Sequence, residues 1–243
     1  MYDYLTRREL IAKIARSLAV IPFSSIFFPG QEKSGKLKNK GEKMNLPKPV
    51  TDGNISLEQT IKNRRTIRSF ESKPLKIEQL SQLLWAAQGI TEDRGFKRAA
   101  PSGGALYPMD IYTVAGNNGV ENLSPGIYHY APANHSVKLI AEGDLRNDVA
   151  GASLWQSWMA KAPVNLVITA DYARICSKYG DRGVRYAMLE AGHVGQNIFL
   201  QAVAIGMGAG IVGAFDDNKL ISIMNIPKSH EPLLAMPVGY EKF

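Results

Sequence analysis

Residues 64–70 read Arg-Arg-Thr-Ile-Arg-Ser-Phe and set three guanidinium groups, Arg64, Arg65 and Arg68, within five positions. Planar guanidinium forks donate paired hydrogen bonds to phosphate oxygens, so a cluster this dense fits a phosphate clamp. A second stretch, residues 100–114 (APSGGALYPMDIYTV), places Gly103 and Gly104 directly ahead of a strand-like run. A third, residues 206–217 (GMGAGIVGAFDD), is again rich in glycine. Bare backbone admits close approach to something flat or bulky, where a side chain would collide. Taken singly, the three have ordinary explanations: a solvated charged face, a turn, and a helix cap feeding a strand. Together they supply a phosphate clamp and two bare backbone edges, the equipment for holding a flat phosphorylated cofactor. No G-x-G-x-x-G follows the first strand, and the glycines at 206–210 follow a helix, so a Rossmann dinucleotide site is not indicated.

The composition narrows the class. A chain of 243 residues with 45% hydrophobic and 21% charged residues suits one substantial soluble domain. A single cysteine, Cys176, excludes an internal disulfide framework and a cysteine-cluster metal site. His129, His135, His193 and His230 show no ligand spacing, so no metal is expected. The net charge of +7 resembles a nucleic-acid signal, but residues 1–55 carry ten Lys and Arg against five Asp and Glu, which is +5 of that total. The remaining body is nearly neutral, with no basic stripe interleaved with aromatics, and nucleic-acid binding is not expected.

Two regions follow. Residues 1–55 hold an apolar segment ending at Phe28 and then a Lys-, Gly- and Pro-rich stretch with no apolar period, read as a mobile linker. The run Ser17–Phe28 is too short for a comfortable transmembrane helix but falls within the length of a signal core. Arg7 and Arg8 resemble a twin-arginine export signal, with export or membrane tethering through residues 1–28 as one reading. An amphipathic helix packed on the body or a partner, in a cytoplasmic protein, is the other.

Residues 56–243 read as one compact α+β domain. Ser56 and Gln59 form a capping box that opens a helix through about Asn63. Ile77, Leu80, Leu84 and Ala87 share one face of a second helix, which Gly89 stops. Asp110–Ala115, then 126–131 and 136–141 around the turn Pro132-Ala133-Asn134-His135, read as strands, the last two a hairpin. Residues 163–171 form a continuous apolar run and so a central strand. From Arg185 to about Gly206 runs a long helix, apolar almost all round, expected to be buried on most faces. A last strand covers 233–240.

The motifs RRTIRSF, PSGGALYP, RYAMLEAGHVGQN, GAFDD and the terminal PVGY, in this order, resemble the nitroreductase superfamily of FMN enzymes. The branch most similar is the azoline dehydrogenases, which oxidise rings to thiazoles and oxazoles in modified peptides. The resemblance runs from about residue 57 to the end. It implies a mostly antiparallel central sheet flanked by helices, with the long helix at a homodimer interface and two FMN sites between subunits. It further implies that Arg64, Arg65, Thr66 and Arg68 grip the FMN phosphate and ribityl chain. Pro101, Ser102, Gly103 and Gly104 match the loop lining the ring, contributed by the opposite subunit. Ile211, Val212 and Gly213 match a stretch that turns backbone N–H groups toward flavin N5.

Relatives in that branch carry a Lys-Tyr pair ahead of the long helix, and Lys178 and Tyr179 stand in the matching place. A lysine whose pKa is lowered by burial could act there as a base, with the tyrosine relaying a proton. The chain departs from many relatives in stopping at Phe243, so only Lys242 could stand in for a C-terminal phosphate contact, and a peptide-handling module is missing. Within a hydride-transferring enzyme two chemistries therefore compete: dehydrogenation of a C–N or C–C bond, and reduction of small nitro or quinone acceptors at the expense of NAD(P)H. The alternative is a non-catalytic flavin-binding or membrane-tethered interaction protein.

Overall fold

The computed structural model describes residues 41–243, which leaves the apolar segment and its two arginines outside the described residues. Seven strands form one sheet in the order β1-β4-β3-β2-β5-β7-β6. They are β1 (Lys43–Asn45), β2 (Met109–Ala115), β3 (Gly126–Ala131), β4 (Ser136–Glu142), β5 (Val164–Asp171), β6 (Gly208–Ala209) and β7 (His230–Gly239). Every neighbouring pair is antiparallel. The apolar run at 163–171 is the central strand its composition required. β5 lies between β2 and β7, and from Val164 to Ala170 it is buried throughout.

Period-two alternation divides the strands between two cores. Ile111, Leu166, Ile168 and Met236 face one side, where α2 (Ile77–Gln88) and the long α5 (Arg182–Ala204) cover them. Tyr112, Val167 and Ala235 face the other, under α3 (Arg146–Ala152) and α6 (Asp217–Met224). The fold is thus the α+β arrangement expected, an antiparallel sheet between helical layers.

Local signals account for the helix starts. Ser56 Oγ accepts from Gln59 N at 3.2 Å and opens α1 (Leu57–Asn63). α2 starts at Lys76, which has no capping side chain of its own. Instead Lys76 N donates to Gln79 Oε1 at 2.9 Å, so the cap is supplied from inside the helix. Between β5 and α5 lies an eight-residue helix, α4 (Tyr172–Tyr179), which carries Lys178 and Tyr179 in its last turn.

Two expectations need correction. Residues 43–50 do not behave as linker: Lys43–Asn45 pair with Ser136–Lys138, Leu46 is buried, and Val50 N donates to Gln82 Oε1 at 2.8 Å. The edge strand forms because β4 offers an unpaired backbone edge and Leu46 finds a pocket beneath it. Nor is α5 buried on most faces within one chain. Met188, Leu189, Gly192, His193 and Gln196 form an exposed stripe, and Leu57 and Ile61 of α1 are exposed as well.

Candidate functional site

The arginine segment leaves α1 at Arg64 in extended backbone and runs beside the glycine stretch. Thr66 bridges to Ala209 in parallel, and Ile67 N donates to Ala209 O at 2.8 Å. The glycines at 208 and 210 make this approach possible. A Cβ on Gly208 would lie 2.5 Å from Ile67 Cγ1, and one on Gly210 would lie 2.6 Å from the Trp158 ring and 2.8 Å from Ile67 O. Alternation along the extended segment splits the three arginines. Arg64 sits over the Phe199 ring at 5.2 Å and Arg68 over the Trp158 ring at 5.8 Å. Arg65 turns back onto the carbonyls of Lys62 and Arg64, both at 2.8 Å, beside the cavity that Ile67 also lines. No carboxylate pairs with any of the three among the described residues.

Past the glycines the chain runs along β7 with alternate N–H groups used. Gly210 N donates to Pro237 O and Val212 N to Ala235 O, each at 2.8 Å. Those of Ile211 and Gly213 take no backbone acceptor among the described residues. The Val212 N–H is therefore committed to the sheet, and Ile211 and Gly213 are the donors left for a bound group.

The loop at 101–108 contains a turn of 3₁₀ helix over Gly103–Ala105 and three residues of positive φ: Gly104 at 62°, Ala105 at 54° and Tyr107 at 47°. Ser102 Oγ accepts from Tyr107 N at 2.9 Å and closes it. The sequence pattern assigns these glycines to a cofactor ring; within the chain the neighbours of Gly104 are Lys178 and Tyr179. A Cβ on Gly104 would lie 2.7 Å from the Tyr179 hydroxyl and 3.0 Å from Lys178 Nζ. Tyr179 packs edge-on against Tyr186 of α5, with ring centroids 5.2 Å apart. Lys178 is exposed, so one chain alone does not supply the burial expected for it.

Two carboxylates, Glu190 buried and Asp110 largely so, flank this loop, and their environments drive them in opposite directions. Burial pushes the Asp110 carboxyl up, but the His129 hydrogen bond at 2.8 Å and the Arg174 guanidinium at 2.7 Å outweigh it, and the group sits below its ordinary range. Glu190 of α5 is pushed up by burial, which its neighbours Ser102, Gln88 and Arg98 only partly offset. Gln88 links Glu190 to Arg98: Gln88 Nε2 donates to Glu190 Oε1 at 3.2 Å, and Arg98 Nη1 donates to Gln88 Oε1 at 3.3 Å. His193, one turn further along α5, is exposed.

Residues 61–240 match the family model described as the nitroreductase family. The chain belongs to the nitroreductase family. Among curated relatives, the Methanocaldococcus jannaschii protein MJ1384, a nitroreductase by name, is 43% identical over 199 residues, covering 82% of this chain and 98% of its own. The Escherichia coli microcin B17-processing protein McbC is 27% identical over 71% of this chain, which spans 65% of McbC. A crystal structure of a Ralstonia eutropha protein, also a nitroreductase by name, superposes with a TM-score of 0.73 at 28% identity, covering 86% of this chain and 92% of that one.

In this nitroreductase-family chain the candidate residues fall into two groups along α5. Tyr186, near its start, touches the Gly103 loop and the Lys178–Tyr179 turn, whereas Phe199 carries Arg64. Thirteen residues of helix separate them, about 20 Å at 1.5 Å per residue. Ile211 lies between, where its side chain meets the α5 face at Gly195. One chain thus runs Thr66 and Ile67 alongside Ala209, with Arg64 and Arg68 flanking them, and separately brings Gly103 and Gly104 against the Lys178–Tyr179 turn. Sequence reading missed Arg174, Asp110, Arg98 and Trp158. Asp110 was visible only as a polar residue at the start of a strand, and Arg174 lay in a helix the sequence pattern does not mark, with nothing local to pair them.

Proposed function

We propose that the protein is an FMN-dependent oxidoreductase that works as a homodimer paired through α5. The observation that carries this reading is the separation of two half-sites along one helix whose intervening face, Met188, Leu189 and Gly192, is exposed and largely apolar. A two-fold interface is self-complementary, so antiparallel pairing of α5 would set the arginine half of one chain against the loop half of its partner.

The residues present fit FMN. Arg64 and Arg68, over the Phe199 and Trp158 rings, lack carboxylate partners among the described residues and can take a phosphate. The backbone at Ile211 and Gly213 is exposed, and the N–H groups of both are open to ring acceptors. FMN when bound supplies a hydride acceptor and donor at N5. Pro101, Ser102, Gly103 and Gly104 would border the ring from the partner chain. Lys178, with Tyr179 beside it, would take the proton that leaves the substrate as its hydride departs, so that two electrons and two protons are lost in all. An external acceptor, molecular oxygen or a quinone, then removes the electrons.

The placing of Lys178 and Tyr179 against Gly104 favours dehydrogenation of a C–N or C–C bond, the chemistry of the azoline dehydrogenases. Coverage of almost the whole of MJ1384 supports the second reading, reduction of small nitro or quinone acceptors with NAD(P)H. Purified protein should be yellow. Anaerobic bleaching by NADH or NADPH supports the reductase; oxidation of a small synthetic thiazoline under oxygen supports the dehydrogenase. Colour without either reaction would leave only flavin binding, and colourless protein that takes up no FMN refutes the proposal.

A further inference from the structure

The first turn of α4 holds Arg174, whose guanidinium uses all three nitrogens within the chain. Nε pairs with Asp171 Oδ2 at 3.0 Å, Nη2 with Asp110 Oδ2 at 2.7 Å, and Nη1 donates to Tyr107 O at 3.3 Å. Asp110 is itself held from β3 by His129 Nε2 at 2.8 Å, so the anchor is fixed on the sheet. A cavity of about 570 Å³ opens beside this cluster, and the guanidinium that borders it spends one donor from each of its three nitrogens within the chain.

The acceptors explain what is being held. Tyr107 is the far end of the strained loop and Gly104 its near end. Arg174 meets the first, and Lys178, four residues on along the same helical face, meets the second. One face of α4 therefore clasps the whole loop, with about 6 Å of helix between the two contacts.

We propose that Arg174 is a positioning residue for Lys178 and Tyr179: its fork locks α4 to Asp110 and to Tyr107, and so fixes the pair against the Gly103–Gly104 loop. This rests on the reading of Lys178 as the base, but the lock itself can be tested without it. Guanidinium geometry matters because a lysine at 174 could reach one acceptor but not three at once.

The test compares Arg174→Gln, Arg174→Lys, Asp110→Asn and Lys178→Ala in the full chain. Amide hydrogen exchange over residues 101–108 and 172–180 is followed first. Loss of charge-assisted bonds should speed exchange in both segments by roughly tenfold or more in Arg174→Gln. β5 and β7 should stay as protected as in the parent protein, and Arg174→Lys and Asp110→Asn should fall between. Unchanged exchange at 101–108, or loosening spread equally through β5, overturns the proposal.

Turnover of a small synthetic thiazoline is the second readout. Arg174→Gln should lower kcat toward the Lys178→Ala level while KM and flavin content hold, and Arg174→Lys should recover part of it. A large kcat loss in Lys178→Ala with none in Arg174→Gln overturns the positioning role. If Lys178→Ala itself keeps full turnover, the base assignment fails, and the lock stands or falls on hydrogen exchange.

Discussion

The Tyr179 hydroxyl fills the space that a side chain on Gly104 would occupy: a Cβ there would fall 2.7 Å from it. Gly104 also sits at φ 62°, where an L-residue is strained. Gly104→Ala should therefore destabilise the chain by about 1–2 kcal/mol, the cost of a left-handed alanine, and push Tyr179 outward. Ala105, at φ 54°, already bears that strain, so Ala105→Gly should be neutral or slightly stabilising. Chemical denaturation of the two variants checks the pair of signs. Equal and negligible effects would mean that the loop does not need its backbone conformation.

The split of the arginines predicts unequal roles. Arg64 and Arg68, over Phe199 and Trp158, should each lend a charge-assisted bond to the phosphate of bound FMN. Replacing both by alanine should weaken FMN by a factor on the order of 10² or more, from roughly 1.5–3 kcal/mol per bond. Arg65→Ala should cost much less, because its side chain already turns onto the carbonyls of Lys62 and Arg64. Titration of FMN into stripped protein decides it. Full affinity in the double variant removes the phosphate clamp.

Much of the fold was legible because periodicity and composition report local burial. The all-apolar β5 run, the α2 stripe and the 135-centred hairpin were each set by residues close in sequence. α4 was not, since Tyr172–Tyr179 has only Ile175 fully buried, and its amphipathic pattern covers barely two turns. The half-sites were legible as motifs, but their grouping was not. Gly104 meets Tyr179 across 75 positions of chain and Arg64 meets Phe199 across 135, distances over which no local pattern extends. The exposed stripe on α5 is a related case: apolarity signals contact with something, and the residues alone do not say whether that is their own chain or a second copy.

That stripe yields a prediction about assembly. Leu189 and Met188 are about half exposed, as are Leu57 and Ile61 of the adjoining α1. Stable homodimers bury more than about 2,000 Å² in total, much of it apolar. Leu189→Glu should give a monomer in sedimentation equilibrium and should lose FMN at the same time, because each half-site would lack its partner. A monomeric variant that retains FMN would show that one chain suffices and would sink the shared-site reading.

The Glu190 and Asp110 carboxylates predict opposite responses to pH. Glu190 titrates above its usual value of 4.5 when folded, because burial disfavours its charged form. The stability it contributes is thus complete below about 4.5, the unfolded value, and is lost as pH rises through the folded one. Glu190→Gln cannot titrate, so it should melt higher than the parent near pH 8, with the gap closing toward pH 4.5. For a chain of this length the gap should be roughly 2–4 °C per kcal/mol. Asp110 lies below its usual 3.8 despite burial, through His129 and Arg174, so its contribution is present above that value and is lost on acidification. Asp110→Asn should accordingly be less stable than the parent at neutral pH and approach it only in strong acid. Thermal melts from pH 3 to 8 separate the two limbs. Parallel melting curves for Glu190→Gln and the parent across the whole range would show that Glu190 keeps its ordinary titration in the folded chain.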